Sequence, residues 1–283
     1  MEVPWGNGGW QPDAPDHRDY TLEHPTVQKL MRRLRTDADQ REAPSRVDWR
    51  EYCGPVDNQA QLPTSSAHAA VGLLQYFARR CAGESLRPSR LFVHYNASRL
   101  MCQPPTAGVS LRAALQSTAR FGGPDEEYWP YHRALLRQTP TAFAYAFSYR
   151  FKGLRYSRLD AFPQTPERLL QQSKSFLTAG FALAFGFAAS DALGHGPEVP
   201  FPTVFDHIRH RLAAVAVGYD DHQRIHSEKG AFLIRSPLGA TWGESGYGWL
   251  PYRFQLTGLA RDWWTLLKPS WLKSGELDLP RLG

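Results

Sequence analysis

The strongest constraint on the fold is a change of hydrophobic pattern near residue 145. Before it, SSAHAAVGLLQYFARR, from Ser65 to about Arg80, predicts a buried helix, and SLRAALQSTARFG predicts an amphipathic helix closed by Gly122. After it, short apolar or alternating runs broken by turns predict strands: FSYRFKGLRYSRL, FALAFGFAA, LAAVAVGYDD, GAFLIRS and YGWLPYRF. The run PERLLQQSKSFLTAG predicts a crossing helix that stops at Gly180. The sequence therefore predicts an α+β fold.

The same patterns divide the chain into three parts. Residues 1–45 are predicted to be an N-terminal extension with one short docked helix, because apolar residues fall on one helical face at Val27, Leu30, Met31 and Leu34. Residues 46–145 are predicted to form a helical lobe, and residues 146–283 a β-rich lobe.

Composition narrows the functional classes. The formal net charge is +6, and its Lys and Arg residues are scattered, which indicates a solvated basic surface with a preference for acidic partners. There is no zinc-ligand spacing or aromatic RNA-binding stretch, so we expect no nucleic-acid partner. No apolar run has the length of a secretion signal or a membrane span, so we expect a soluble, cytoplasmic protein without membrane association. The three cysteines, which we expect to be reduced, are Cys53, Cys81 and Cys102.

Several segments resemble the papain family of cysteine peptidases. VDWREYCGPVDNQAQLPTSSAHAAV is similar to the family's opening, which leads into the helix of the nucleophile. AVAVGYDD, FLIRSPLGATWGESGYGWLPY and ARDWW are similar to the segments around the catalytic His and Asn, and GGWQPDAPDHRDY and WPY resemble a bacterial branch. The resemblance implies a two-lobed papain-like fold, with a helical N-terminal lobe, an antiparallel β-barrel-like C-terminal lobe and a groove between them.

The resemblance also assigns the catalytic positions, and three of them are altered. The family needs a thiolate nucleophile, a His partner, an Asn that orients the His and a Gln that helps to hold the oxyanion. Gln59 keeps the last role, and Trp242 keeps a packing position near the site. The other three positions hold Ser65, Leu212 and Ser236. Because loss of a whole triad costs on the order of 10⁶ in rate, we expect no peptide hydrolysis by the family mechanism.

Two histidines are candidates for a substitute base. His68 lies three residues after Ser65 on the predicted helix, so the two side chains could touch, with Asp57 as a third member. The competing interpretation is that His68 only packs in the core. His210 lies two residues before Leu212, and we expect it to be an exposed residue at a strand entrance.

No metal or cofactor is expected. The histidines of the second half have no tight ligand spacing, and we interpret them as solvated loop residues, with His222 and His226 in a hairpin after the V-G-Y strand; the set is His195, His207, His210, His222 and His226. There is also no glycine-rich phosphate loop, which argues against a nucleotide cofactor.

Three functions remain open on the sequence. The first is an inactive papain-fold pseudopeptidase that binds a peptide or protein segment as adaptor, chaperone or regulator of a partner enzyme, with acidic segments favoured by the basic surface. The second is an enzyme that cyclises or crosslinks a ribosomally made peptide, and the third is a structural subunit. A floor closed by Leu62, Leu212 and Leu238 would favour the first, and a polar, His-containing floor the second. The predicted binding residues are Gln59, Ser65, Ser66, His68, Leu212, Leu238 and Trp242.

Overall fold

The helices occupy mainly the first half of the chain. The computed structural model describes residues 8–14, 16–21, 23–25, 27–28, 44–149, 154–161 and 164–267. Within these ranges the helices are α1 (Ser65–Ala82), α2 (Arg90–Leu100), α3 (Leu111–Phe121), α4 (Ala142–Ala146), α5 (Pro166–Thr178) and α6 (Arg253–Leu256). Ser89, Ser110 and Thr165 cap α2, α3 and α5 by accepting a hydrogen bond from a first-turn N–H group. The helices predicted as α1, α3 and α5 are confirmed within a few residues.

Most strands lie in the second half of the described chain and belong to one mixed sheet. The strands are β1 (Trp10–Gln11), β2 (Tyr20–Thr21), β3 (Arg46–Asp48), β4 (Val109–Ser110), β5 (Arg155–Arg158), β6 (Leu183–Ser190), β7 (Ile208–Ile225), β8 (Glu228–Arg235), β9 (Tyr247–Pro251) and β10 (Ala260–Leu267). The large sheet has the order β2–β5–β10–β6–β7–β8–β9, and β3 pairs with β7. Its pairs are antiparallel except for β2 with β5.

The sheet is open, which corrects the barrel-like expectation. In the described chain its pairing path ends at β2 on one side and β9 on the other, so these strands are not joined into a closed barrel. Along one edge, the long strand β7 pairs with β6 as far as Ala216 and then with β3 from Gly218; along its other edge it pairs with β8 from Val215, with a register shift between Ala216 and Gly218. Such an irregularity bends a strand without requiring the sheet to close.

Helix α1 lies at the centre of the molecule. Its apolar side chains are buried on every face, against β7 and β6 on one side and α2 and α3 on the other. Its many small residues allow neighbouring elements to pack closely against it. At Gly72, a Cβ atom would overlap the Arg235 side chain. Behind α1, the rings of Phe185 and Trp263 stack at 4.2 Å between centroids and form part of the sheet's core.

The N-terminal segment, residues 8–21, is part of this framework. Strand β1 pairs in parallel with β4, next to the helices, and β2 adds to the outer edge of the large sheet. The segment therefore runs from the helical part of the molecule to the edge of the sheet. The predicted docked helix falls largely on residues 29–43, outside the described residues, although Val27 is buried.

Candidate functional site

The papain-like catalytic positions meet where α1 begins against β7. Gln59 and Ser65 are both fully buried, and Ser65 is the first residue of α1. The first N–H groups of a helix have no partner inside the helix, so the Ser65 N–H group is available to another acceptor. Together with the Gln59 side-chain amide it forms the kind of donor pair that can hold an oxyanion.

That donor pair is occupied by the chain's own N-terminal segment. The Gly8 carbonyl oxygen accepts a hydrogen bond from Gln59 Nε2 at 3.1 Å and from the Ser65 N–H group at 3.3 Å. A backbone carbonyl is the group that a bound peptide would present at this position. In this structure, the carbonyl of residue 8 occupies both donors.

Two glycines make this close approach possible. Gly8 and Gly9 both have positive φ, at 81° and 101°, a region that other residues enter only with strain. A Cβ atom on Gly8 would overlap the Arg211 carbonyl and lie 3.1 Å from Leu212 Cδ2, and one on Gly9 would overlap the backbone of Pro63. The segment thus passes tightly between the loop before α1 and strand β7. The sequence alone does not predict this close approach, although the paired glycines of GGW are a visible signal of it.

A buried polar cluster anchors the same segment to the sheet. The Trp10 indole N–H group donates to Asp262 at 3.1 Å, and the Asp13 N–H group donates to the same carboxylate oxygen at 2.8 Å. The Trp264 indole in turn donates to Asp13 at 3.0 Å. Gly186 has no side chain, which leaves the space that the Trp10 ring fills. The segment is therefore fixed at Gly8 and again, a few residues later, at Trp10 and Asp13.

The positions that the papain resemblance assigns to the base and the orienting residue are apolar or locally satisfied. Leu212 is 1% exposed and pairs with Phe187 across β6 and β7. Ser236 accepts a hydrogen bond from the Leu238 N–H group at 3.0 Å, and its own N–H group donates to Gly246. Leu212 has no polar atom that could act as a base, and the Ser236 hydroxyl oxygen is engaged in its own turn.

The other predicted lining residues are also buried. Leu238 and Trp242 are 2% and 1% exposed, and the Trp242 indole donates to the Gly194 carbonyl at 2.9 Å. Leu62 is buried in a smaller cluster with Phe92, whereas Leu212 and Leu238 belong to the main core. The three leucines therefore do not form one common floor, and that discriminating feature is absent from the described structure.

Ser65 and His68 do not form the predicted dyad. The Ser65 hydroxyl and His68 Nε2 are each buried without a hydrogen-bond partner among the described residues, so they are not bonded to one another. The opposite ring nitrogen, Nδ1, donates to the Thr64 carbonyl one turn back, at 3.0 Å. Asp57, the conceived third member, forms an ion pair with Arg90 instead. Helical spacing brings Ser65 and His68 near one another, but the His68 side chain bonds to the Thr64 carbonyl at the start of the helix.

The surroundings of His68 keep its ring neutral. Burial and the nearby Arg90 and Arg235 guanidinium groups lower the pKa of His68 to about 3. A cavity of about 10 Å³, lined in part by Arg90, Arg235 and Ser236, lies beside the ring. A neutral imidazole with so low a pKa is a weak general base and provides no cation to stabilise a thiolate or alkoxide.

Two further side chains shape the loop that carries Gln59. Ser66 donates its hydroxyl to the Val109 carbonyl at 2.7 Å, which ties α1 to β4. The Tyr131 hydroxyl, from the WPY motif, donates to the Gln59 carbonyl at 2.9 Å and lies 2.6 Å from the Thr64 hydroxyl. These contacts hold the turn between Gln59 and Ser65, so their role here is to position the donor pair.

The remaining histidines do not converge on a site. His210 is only 5% exposed, which corrects the expectation of an exposed strand entrance; it pairs with Ala189 inside the sheet. His222 lies within β7 and His226 in the following turn, so only the latter is a loop residue. In the described chain, no three His, Cys, Asp or Glu side chains are grouped to hold a metal ion. None of the cysteines forms a disulfide, and none of the described helices has the length and apolarity of a membrane span.

Comparison with known proteins establishes the fold. No family model matches the sequence, and no curated protein does. Among solved structures, xylellain, a cysteine protease from Xylella fastidiosa, is 24% identical with a TM-score of 0.74, covering 95% of this chain and 98% of that one. Digestive procathepsin L 3 of Tenebrio molitor larval midgut is 18% identical with a TM-score of 0.58, covering 81% of this chain and 71% of that one.

The bromelain protease from Ananas comosus, in complex with the E64 inhibitor, is also similar, at 18% identity and a TM-score of 0.57, over 78% of this chain and 97% of that one. At these identities the likeness concerns the fold alone. The chain therefore has a papain-like fold, as the sequence resemblance implied.

Proposed function

We propose that this chain is a papain-fold protein without peptidase activity that binds an extended peptide segment at the Gln59–Ser65 donor pair. The carrying observation is that the Gly8 carbonyl accepts a hydrogen bond from both donors. A site that holds one backbone carbonyl in this way has the geometry to hold another, because the donors read only the peptide backbone.

The absence of catalysis follows from the residues around Ser65. A serine hydroxyl needs a base within hydrogen-bond reach, and general-base catalysis typically contributes ~10²–10⁴ in rate. Leu212 occupies the family's base position, and His68 is turned to the Thr64 carbonyl. Removal of the N-terminal segment would therefore uncover a binding site, and not a working enzyme.

The bound N-terminal segment occupies the binding site of its own chain. An incoming peptide must displace Gly8, so its apparent affinity equals its intrinsic affinity multiplied by the fraction of molecules in which the site is free. The basic surface would favour acidic peptides, and a role as adaptor, chaperone or regulator of a partner enzyme fits such a site. The alternative of cyclisation or crosslinking chemistry requires a positioned acid or base near Ser65, and no described contact supports it.

A competition experiment tests the binding proposal. A fluorescent acidic peptide in extended conformation should bind weakly to the wild type and more tightly to Gly8→Ala, in which the resident carbonyl is displaced. Adding Ser65→Trp to Gly8→Ala should weaken binding again, because the indole fills the vacated position. Equal affinity of all three proteins would place peptide binding elsewhere and favour a structural subunit. Labelling of wild-type Ser65 by a serine-hydrolase probe would contradict the claim that it is inactive.

A further inference from the structure

A second pocket lies away from the catalytic positions, where the N-terminal segment meets α3 and β5. Its volume is about 310 Å³, which is at the lower end of the range for small-molecule sites. The lining residues are Asp16, Arg18, Asp19, Tyr20, Arg112, Gln116, Arg120, Leu154, Arg155 and Tyr156. None of them belongs to the site around Ser65.

The residues that line this pocket carry a net positive charge. It contains four arginines and two aspartates, and both aspartates already have a partner. Asp16 accepts hydrogen bonds from Arg18 Nε and Nη2, and Asp19 accepts from Arg112 Nε and Nη2. These bidentate pairs neutralise the carboxylates of the pocket.

The other two arginines keep donors available. Arg120, exposed at the end of α3, forms no ion pair or hydrogen bond with any part of the chain that the structure describes. Arg155 donates one Nη1 bond to the Tyr20 hydroxyl and lies over its ring, at 4.9 Å from the centroid. Burial raises the pKa of the Tyr156 hydroxyl, so at neutral pH it remains a neutral donor.

We propose that this pocket binds a small ligand carrying a phosphate-class anion, held by Arg120 and Arg155. Guanidinium groups donate pairs of parallel hydrogen bonds that match phosphate oxygens, and they are weakly hydrated, so they bind such anions at low cost. The pocket has room for a group larger than one phosphate, and its two tyrosines add a ring face and a hydroxyl donor beside the guanidinium groups.

The ligand would connect the N-terminal segment to the rest of the fold. Asp16–Tyr20 supplies one wall, and α3 and β5 supply the others. A ligand that bridges them binds only when the segment is docked, and so it stabilises the docked state. This consequence rests on the proposed function only in that docking fills the donor pair; binding of the anion itself does not depend on it.

Calorimetric titration with inorganic pyrophosphate tests the site. The wild type should bind, and Arg120→Gln with Arg155→Gln should weaken the affinity at least about tenfold, as expected for loss of charge-assisted hydrogen bonds. The matched control is Arg133→Gln with Arg137→Gln, which removes the same charge outside the pocket and should bind like the wild type. Circular dichroism should show that both double variants are folded.

Two results would overturn the proposal. One is the absence of pyrophosphate binding by the folded wild type, and the other is an equal loss of affinity in both double variants, which would indicate a diffuse charge effect. Pyrophosphate should also slow protease cleavage of the N-terminal segment in the wild type but not in the Arg120/Arg155 variant. Binding without this protection would refute the linkage to docking, while leaving peptide binding around Gln59 to its own test.

Discussion

The Gly8 carbonyl oxygen lies 3.1 Å from the Gln59 side-chain amide nitrogen, within hydrogen-bond distance. Gln59 is the position that the papain resemblance assigns to oxyanion stabilisation, and Gly8 is the beginning of the described chain. The contact means that the best-preserved element of the papain-like site is engaged by a peptide group of the same molecule. The two donors are therefore occupied within the molecule itself.

Replacing Gly8 should release the N-terminal segment. Gly8→Ala places a Cβ atom against the Arg211 carbonyl at a φ of 81°, a strain on the order of 1–3 kcal/mol. Limited proteolysis within residues 8–21 should then accelerate by about tenfold or more, because cleavage follows the population of the open state. The control is Gly54→Ala, since a Cβ atom there has no neighbour within 4 Å. Equal cleavage of both variants would contradict tight docking.

The anchor at Asp262 should make stability depend on pH. Burial and the carboxylates of Asp13 and Asp160 raise the pKa of Asp262 to about 7, from an ordinary value of 3.8. Because the folded state holds the proton more tightly, stability should be highest below pH ~4 for this group and decline as pH rises through ~7.

Asp262→Asn should therefore flatten the decline in unfolding free energy between pH 4 and 7, measured by chemical denaturation. Asn also tolerates the positive φ of 59° at this position. The exposed Asp191→Asn serves as control. An unchanged pH profile in Asp262→Asn would show that this carboxyl titrates normally.

His68 should act in the opposite direction. Its pKa falls to about 3 in the folded state from 6.5, so the unfolded state binds more protons between these values. Stability should be present above pH 6.5 and decrease as pH falls toward 3. His68→Asn, whose amide can still donate to the Thr64 carbonyl, should reduce this loss, and His94, with its pKa lowered to about 4, accounts for part of what remains. His222→Asn, at an exposed position, should leave the profile unchanged.

Much of the fold could be predicted from local sequence patterns. Helix α3 has a clear apolar stripe and a glycine stop, and β6 and β7 are continuous apolar runs, so their types were identified. Helix α2 was missed because its sequence, RLFVHYNASRL, has no such stripe: Arg90, His94 and Asn96 are buried along with its apolar residues. One edge of the open sheet is formed by β2, a two-residue strand that is too short to produce a local sequence signal.

Only part of the candidate site could be predicted from the sequence. The papain resemblance assigns positions to Gln59, Ser65, Leu212 and Ser236, because the family's catalytic residues lie at fixed spacings from its motifs. Motif spacing could not predict the contact of Gln59 with Gly8, which lies 51 residues away in sequence, because a local pattern carries no information about distant partners. The dyad of Ser65 and His68 failed for a related reason: helical spacing gives proximity, whereas the nearest free carbonyl decided where His68 donates.

Repair of the site should require every missing group. The variant Gly8→Ala/Ser65→Cys/Leu212→His/Ser236→Asn combines release of the segment with a thiol, a base and its orienting amide. We expect a trace of peptide hydrolysis, far below family-like rates, because Leu212 lies in an apolar position 1% exposed, where a new imidazole would be poorly solvated. The same variant with leucine retained at residue 212 should show none. If both hydrolyse peptide equally, residue 212 is not the base position.

We propose that the missing base, and not the bound N-terminal segment, abolishes catalysis. The most direct measurement is hydrolysis of a fluorogenic extended peptide by Gly8→Ala/Ser65→Cys, which removes the obstruction and restores the thiol. Without an imidazolium partner the thiol should keep a pKa near ~8.5 and remain a poor nucleophile at neutral pH. We expect this variant to hydrolyse the peptide no faster than buffer alone. Turnover at rates typical of cysteine peptidases would mean that another residue acts as the base and that the protein is a latent peptidase.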